Sequence, residues 1–108
     1  MVEYTLQLDS VFGSLADPTR RDILKRVARS ELSVSEIASS YDISLAAVSK
    51  HLKILERAKL IIKRRRGKQH LVRVQTKTVN SAMEYLEWYR KFTEANLDSL
   101  ENYLNKEV

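Results

Sequence analysis

Ser44-Leu-Ala-Ala-Val-Ser-Lys-His-Leu-Lys-Ile-Leu55 is the stretch on which the fold turns. Val48, Leu52 and Leu55 recur at i, i+4 and i+7, the spacing that lines one buried face of a helix. Ser44 is placed to cap that helix, its hydroxyl accepting an orphan N–H of the first turn. Leu45, Ala46, Ser49, Lys50 and Lys53 fall mostly on the other side and are mostly small or cationic. A narrow apolar keel under a short-chained basic face is what insertion into a DNA major groove requires. The same period also fits an ordinary amphipathic helix with a solvated side, so the neighbours decide the reading.

Upstream, Ser33-Val-Ser-Glu36 matches a capping box, in which Ser and Glu satisfy each other's backbone N–H groups. It predicts a short helix to about Tyr41, with Val34, Ile37 and Ala38 inward and a turn at Asp42-Ile43. Helix, tight turn and capped second helix make a helix-turn-helix over about 33–58. Downstream the period changes. Leu60-Ile-Ile and Leu71-Val-Arg-Val-Gln75 flank a Gly67 turn and predict a β-hairpin over about 60–75. Its tip carries Arg64, Arg65, Arg66 and Lys68. A solvated tip is one reading, yet four cations in five residues repel one another and call for an anionic partner.

The formal charge of +5 is unevenly spread. Lys50 to Arg73 holds ten Lys/Arg against one acid, Glu56, or +9, while the remaining nine bases and thirteen acids give −4. Such clustering is the footprint of a polyanion-binding face. An anionic membrane surface would want a large apolar moment beside the basic run, and here a Gly-centred turn interrupts it. No apolar run approaches spanning length and no signal-peptide pattern opens the chain, so a soluble cytoplasmic protein is expected. With no cysteine, disulfides, thiolate metal sites and thiol switching are excluded.

Residues 1–7 read as a loose lead-in, followed by a short helix on Leu8, Val11, Phe12 and Leu15. Asp17-Pro18 restarts the chain, Asp as cap and Pro at the first helical position. The next helix is expected to bury Ile23, Leu24, Val27 and Ala28 under a coat of Arg20, Arg21, Lys25, Arg26 and Arg29. From about 78 to 106 a long helix carries two apolar stripes, one through Leu86, Tyr89, Leu97, Leu100 and Leu104, the other through Trp88 and Phe92. One small domain offers too little surface to cover both. The helix is therefore expected to pack on its own first helix and on the same helix of a second subunit, with Val11 and Phe12 joining that interface. The whole, 1–108, reads as a single, mainly α winged-helix domain with a C-terminal dimerisation helix.

Taken in order, Leu15-Ala-Asp-Pro-Thr-Arg-Arg-Asp-Ile-Leu24, Ser33-Val-Ser-Glu-Ile-Ala38 and Ile43 through Ile61, with the basic hairpin and aromatic terminal helix, resemble the ArsR/SmtB family of winged helix-turn-helix repressors. The resemblance covers nearly the whole chain. It implies a symmetric dimer placing two recognition helices in successive major grooves of an operator. By position, Leu45, Ala46, Ser49 and Lys50 would read bases, and Ser44, Ala47 and Lys53 would lie near the backbone. The wing cations would reach phosphate or an adjacent minor groove. His51 falls in the family's Ser-x-His-Leu position, as a packed histidine rather than a ligand.

Departures from the family narrow the function. Arsenic-sensing members carry two cysteines where this chain has Ser33 and Ser35, and hydroxyls do not replace thiolates for soft metals. Zinc- and nickel-sensing members use histidines on the terminal helix, whereas the two histidines here are His51 and His70. Glu84, Glu87, Glu94, Asp98 and Glu101 read as a solvated acidic face. No metal or cofactor is expected. The absence of a Gly-rich phosphate loop or a nucleophile–histidine pairing argues against an enzyme. The competing reading is a winged-helix protein-interaction module without specific DNA binding.

Overall fold

Three helices start where a side chain closes the first turn. The computed structural model describes residues 2–107, with side chains from 7 to 106. Helix α1 spans Val2–Ser14 and α2 spans Pro18–Arg29, capped by Asp17, whose carboxylate accepts the Arg20 N–H at 3.0 Å. Strand β1 (Leu32–Ser33) runs directly into α3 (Val34–Ser39). At that junction the Glu36 N–H donates to Ser33 Oγ at 3.1 Å and the Ser33 N–H donates to Glu36 Oε1 at 3.0 Å, the reciprocal pair read from the sequence. Helix α4 (Leu45–Arg57) begins at Ser44, which accepts the Ala47 N–H at 3.1 Å.

Lys59 ends α4 in the left-handed region, φ 60°, the only described non-glycine residue there. The Leu60 N–H reaches the Leu55 carbonyl at 3.1 Å and the Lys59 N–H the Glu56 carbonyl at 2.9 Å, a Schellman closure. Leu60 and Leu55 are both buried, supplying its hydrophobic contact. The chain leaves into β2 (Ile61–Arg66) and returns as β3 (Gln69–Val74). Arg66 pairs Gln69 across a two-residue turn, with Gly67 at φ 62° in the position that a type II′ hairpin gives to glycine. Strand β3 lies between β1 and β2, all antiparallel. Helix α5, Thr76–Glu107, completes the chain.

The chain forms two compact units, one ending at Thr78 and one beginning at Val79. In the first, α4 packs on α1, α2, α3 and β2, while α2 and α3 pack on β3. Every residue buried among those described lies between Leu8 and Val72. The α4 keel, Val48, Leu52 and Leu55, is 0 % exposed, and Ile23, Val27, Ile37 and Val72 are buried in the same unit. The second unit is helix alone, and among the described residues no α5 side chain is buried. Among the described residues no helix is long and apolar enough to cross a membrane.

The fold is the winged helix-turn-helix read from the sequence, with corrections. The expected lead-in is helical from Val2, and Met1 lies outside the described residues. Ala28 is exposed and Leu24 half-buried, because the sheet covers only the Ile23–Val27 side of α2. Strand β1 was not anticipated: its two residues double as the entry to the capping box.

Candidate nucleic-acid interface

The outward row of α4 is Ala46, Lys50, Lys53 and Arg57, all exposed at helical spacing. Arg57 was not singled out in the sequence, although the same period extends to it. Ala47 and Ser49 are half-buried at the flanks of the row. Leu45 sits at the helix tip, 62 % exposed because the core ends one turn later at Val48, and Ile43 beside it is also open to solvent. The leading end of the helix is therefore apolar and its middle cationic.

Three contacts fasten α4 to the rest of its unit. Arg20 Nη1 lies 3.3 Å from His51 Nδ1, and Arg20 Nε donates to the Ser14 carbonyl at 2.6 Å. The Asp17 carboxylate lies 3.8 Å from the same His51 nitrogen. The Arg20 backbone N–H, foremost, holds that carboxyl below its ordinary 3.8. At the far end Gln7 Nε2 donates to the Ala58 carbonyl at 2.6 Å. His51 is thus a packed histidine with named partners. Arg20 and Arg21, which donates to the Leu15 carbonyl at 2.8 Å, close the C-terminus of α1 rather than facing a ligand.

At the wing the four cations divide. Arg65, Arg66 and Lys68 are exposed, Arg65 Nε donating to the Gly67 carbonyl at 3.1 Å. Arg64 differs: its Nε and Nη2 grip Glu31 at 2.9 and 2.7 Å. That pair holds the Glu31 carboxyl below its ordinary 4.5 and raises Arg64. Lys63 lies 4.0 Å from Glu56. Arg64 is therefore exposed like the other three but paired with a carboxylate.

On α5, Leu86, Trp88, Tyr89, Phe92, Leu97, Leu100 and Leu104 are all exposed. Trp88 and Phe92 stack at 5.5 Å with rings 4° apart, and the Tyr85 and Tyr89 hydroxyls are 2.8 Å apart. Phe12 is 36 % exposed, but Val11 at 2 % is sealed inside the chain and offers no surface to a second copy, a correction to its expected role. Among the described residues no group of three or more His, Cys, Asp or Glu could hold a metal ion.

A capped helix with an exposed cationic row, seated beside a basic hairpin, defines a winged helix-turn-helix protein of the DNA-binding class. Comparison with known proteins makes this specific. Residues 15–64 match the helix-turn-helix domain family. The HTH-type transcriptional regulator Rv2034 of Mycobacterium tuberculosis is 44 % identical over 59 residues, 55 % of this chain and 55 % of that protein, so the match spans about half of that relative's length. The transcriptional repressor SdpR of Bacillus subtilis is 29 % identical over 79 residues, 73 % of this chain and 88 % of that protein. A solved ArsR family transcriptional regulator, RHA00566, superposes with a TM-score of 0.77 at 30 % identity, covering 83 % of this chain and 93 % of that one. The chain belongs to the ArsR/SmtB-type winged helix-turn-helix transcriptional regulators.

Proposed function

We propose that two copies of this chain bind an operator as a cytoplasmic, metal-independent repressor. The exposed row of α4 carries the reading: in a chain with thirteen acids outside the Lys50–Arg73 stretch, its outward positions beyond Leu45 hold no acid until Glu56. Leu45, Ala46, Ser49 and Lys50 meet base edges, while Ser44, Ala47 and Lys53 lie near the backbone. Arg65, Arg66 and Lys68 hold phosphate or enter the adjacent minor groove. Occlusion of a promoter is supported by the repressor name of the Bacillus relative. Dimerisation is supported by α5, none of whose described residues is buried and whose two stripes, Leu86, Tyr89, Leu97, Leu100 and Leu104 beside Trp88 and Phe92, expose apolar side chains of the kind that mark protein interfaces. Phe12 adds to it. Ser33 and Ser35 offer no soft-metal ligand, so metal is not the signal.

The test uses sites selected by the protein from random-sequence duplex. Lys50→Ala should lower the ratio of selected-site to random-DNA affinity about tenfold, whereas Arg65→Ala should weaken both alike. Sedimentation at micromolar concentration should give a dimer. A protein-interaction module would instead ignore duplex DNA at physiological salt. An unchanged ratio in Lys50→Ala would remove α4 as the reading helix.

A further inference from the structure

The wing has a brace. Strand β1 pairs only with Leu71 and Val72 of β3, whose β2 partners are Arg64 and Lys63. Beyond Arg64 the hairpin is two-stranded, and it carries Arg65, Arg66 and Lys68 around its turn. A bare two-stranded ribbon is marginal in water, and clustered like charges weaken it further. Arg64 stands on the last braced rung, opposite Leu71, and Glu31, immediately before β1 and two residues back from Ser33, reaches diagonally across to take it in a two-pronged grip at 2.9 and 2.7 Å. Such paired geometry fixes direction as well as distance.

We infer that Arg64 is not a phosphate contact but a positioning residue, which with Glu31 forms a strut across the sheet that aims the wing at DNA. The inference rests on the DNA-binding reading above. Strand alternation separates Arg64 from Arg65, which projects from the opposite face, while Arg66 shares the Arg64 face but lies two residues nearer the tip, beyond the rungs that β1 braces. The strut also makes a prediction against simple electrostatics. An acid beside a DNA-binding wing should weaken binding, so its removal should tighten the complex. If Glu31 aims the wing, its removal loosens the complex instead.

The experiment measures anisotropy of a labelled 30-base-pair duplex carrying a selected site, across a salt series, with intact protein. Glu31→Gln should weaken binding about fivefold, and Arg64→Ala by a similar factor, neither changing the slope of log affinity against log salt. Arg65→Ala should reduce that slope by about one per subunit. The double variant should be no weaker than either single one, since both remove the same contact. The charge-exchanged pair Glu31→Arg with Arg64→Glu should recover most of the loss. A slope reduction in Arg64→Ala equal to that of Arg65→Ala would overturn the inference, as would equal or tighter binding by Glu31→Gln. Backbone order parameters at Gly67 and Lys68 in the free protein separate this from the broader reading. They should fall in Glu31→Gln, and unchanged values there overturn the strut even if the wild type binds no duplex.

Discussion

Leu52→Ala tests how firmly the recognition helix is seated. Leu52 is 0 % exposed, between Val48 and Leu55 on the α4 keel, so truncation removes a fully desolvated isobutyl group and leaves a cavity the packed helices cannot readily collapse. The two effects together cost about 3 kcal/mol, a large part of the roughly 5–15 kcal/mol that holds a domain of this size. At about 4 °C per kcal/mol the melting temperature should fall by about 12 °C. Leu45→Ala is the control. It is the same substitution on the same helix, but at 62 % exposure it should change stability by less than about 0.5 kcal/mol. Its effect should fall on DNA instead: if the apolar tip packs on thymine methyls as proposed, deoxyuridine in the selected site should remove part of the wild-type affinity and little of the variant's. Urea unfolding followed by circular dichroism at fixed protomer concentration reads the first quantity, because association shifts apparent stability. A loss below about 1 kcal/mol in Leu52→Ala, or equal losses in both variants, would refute the seating of α4 described above.

Two further outcomes follow from backbone and charge. Lys59→Gly should stabilise the fold by about 1 kcal/mol in the same unfolding assay, because glycine takes the left-handed Schellman position without a Cβ penalty. Asp17, Glu31 and Glu36 are each held below their ordinary values of 3.8 and 4.5, by the Arg20 N–H, by Arg64 and by the Ser33 N–H respectively. Their contribution is complete above those ordinary values and is lost as pH falls through the lower folded ones. Stability should therefore hold flat from these groups down to about pH 5 and drop below pH 4, and Glu36→Gln should flatten the drop in an acid titration.

What the sequence disclosed was local. The keel of α4, its Ser44 cap, the Ser33–Glu36 box and the Gly67 turn all depend on residues within one or two turns of each other, so spacing alone exposes them. What stayed hidden depended on distance along the chain or on the edge of the core. Glu31 and Arg64 are thirty-three residues apart, and no periodicity links them. Strand β1 is two residues long, too short to show alternation, and exists because β3 has a free edge beside it. Ala28 carries an apolar side chain on a helix whose covered side ends at Val27, so composition placed it inside and geometry did not. Lys59 shows no sign of its left-handed backbone, since the residue usual there is glycine.

The fastening of α4 has a mechanical corollary. Arg20 grips it at mid-length through His51 while ending its other prong on Ser14, and Gln7 ties its trailing end at Ala58. The two ties come from different helices, Arg20 from α2 and Gln7 from α1, so α4 is held at mid-length by one and at its trailing end by the other. A change in DNA affinity is therefore expected to move α4 together with α1 and α2 rather than to tilt it alone.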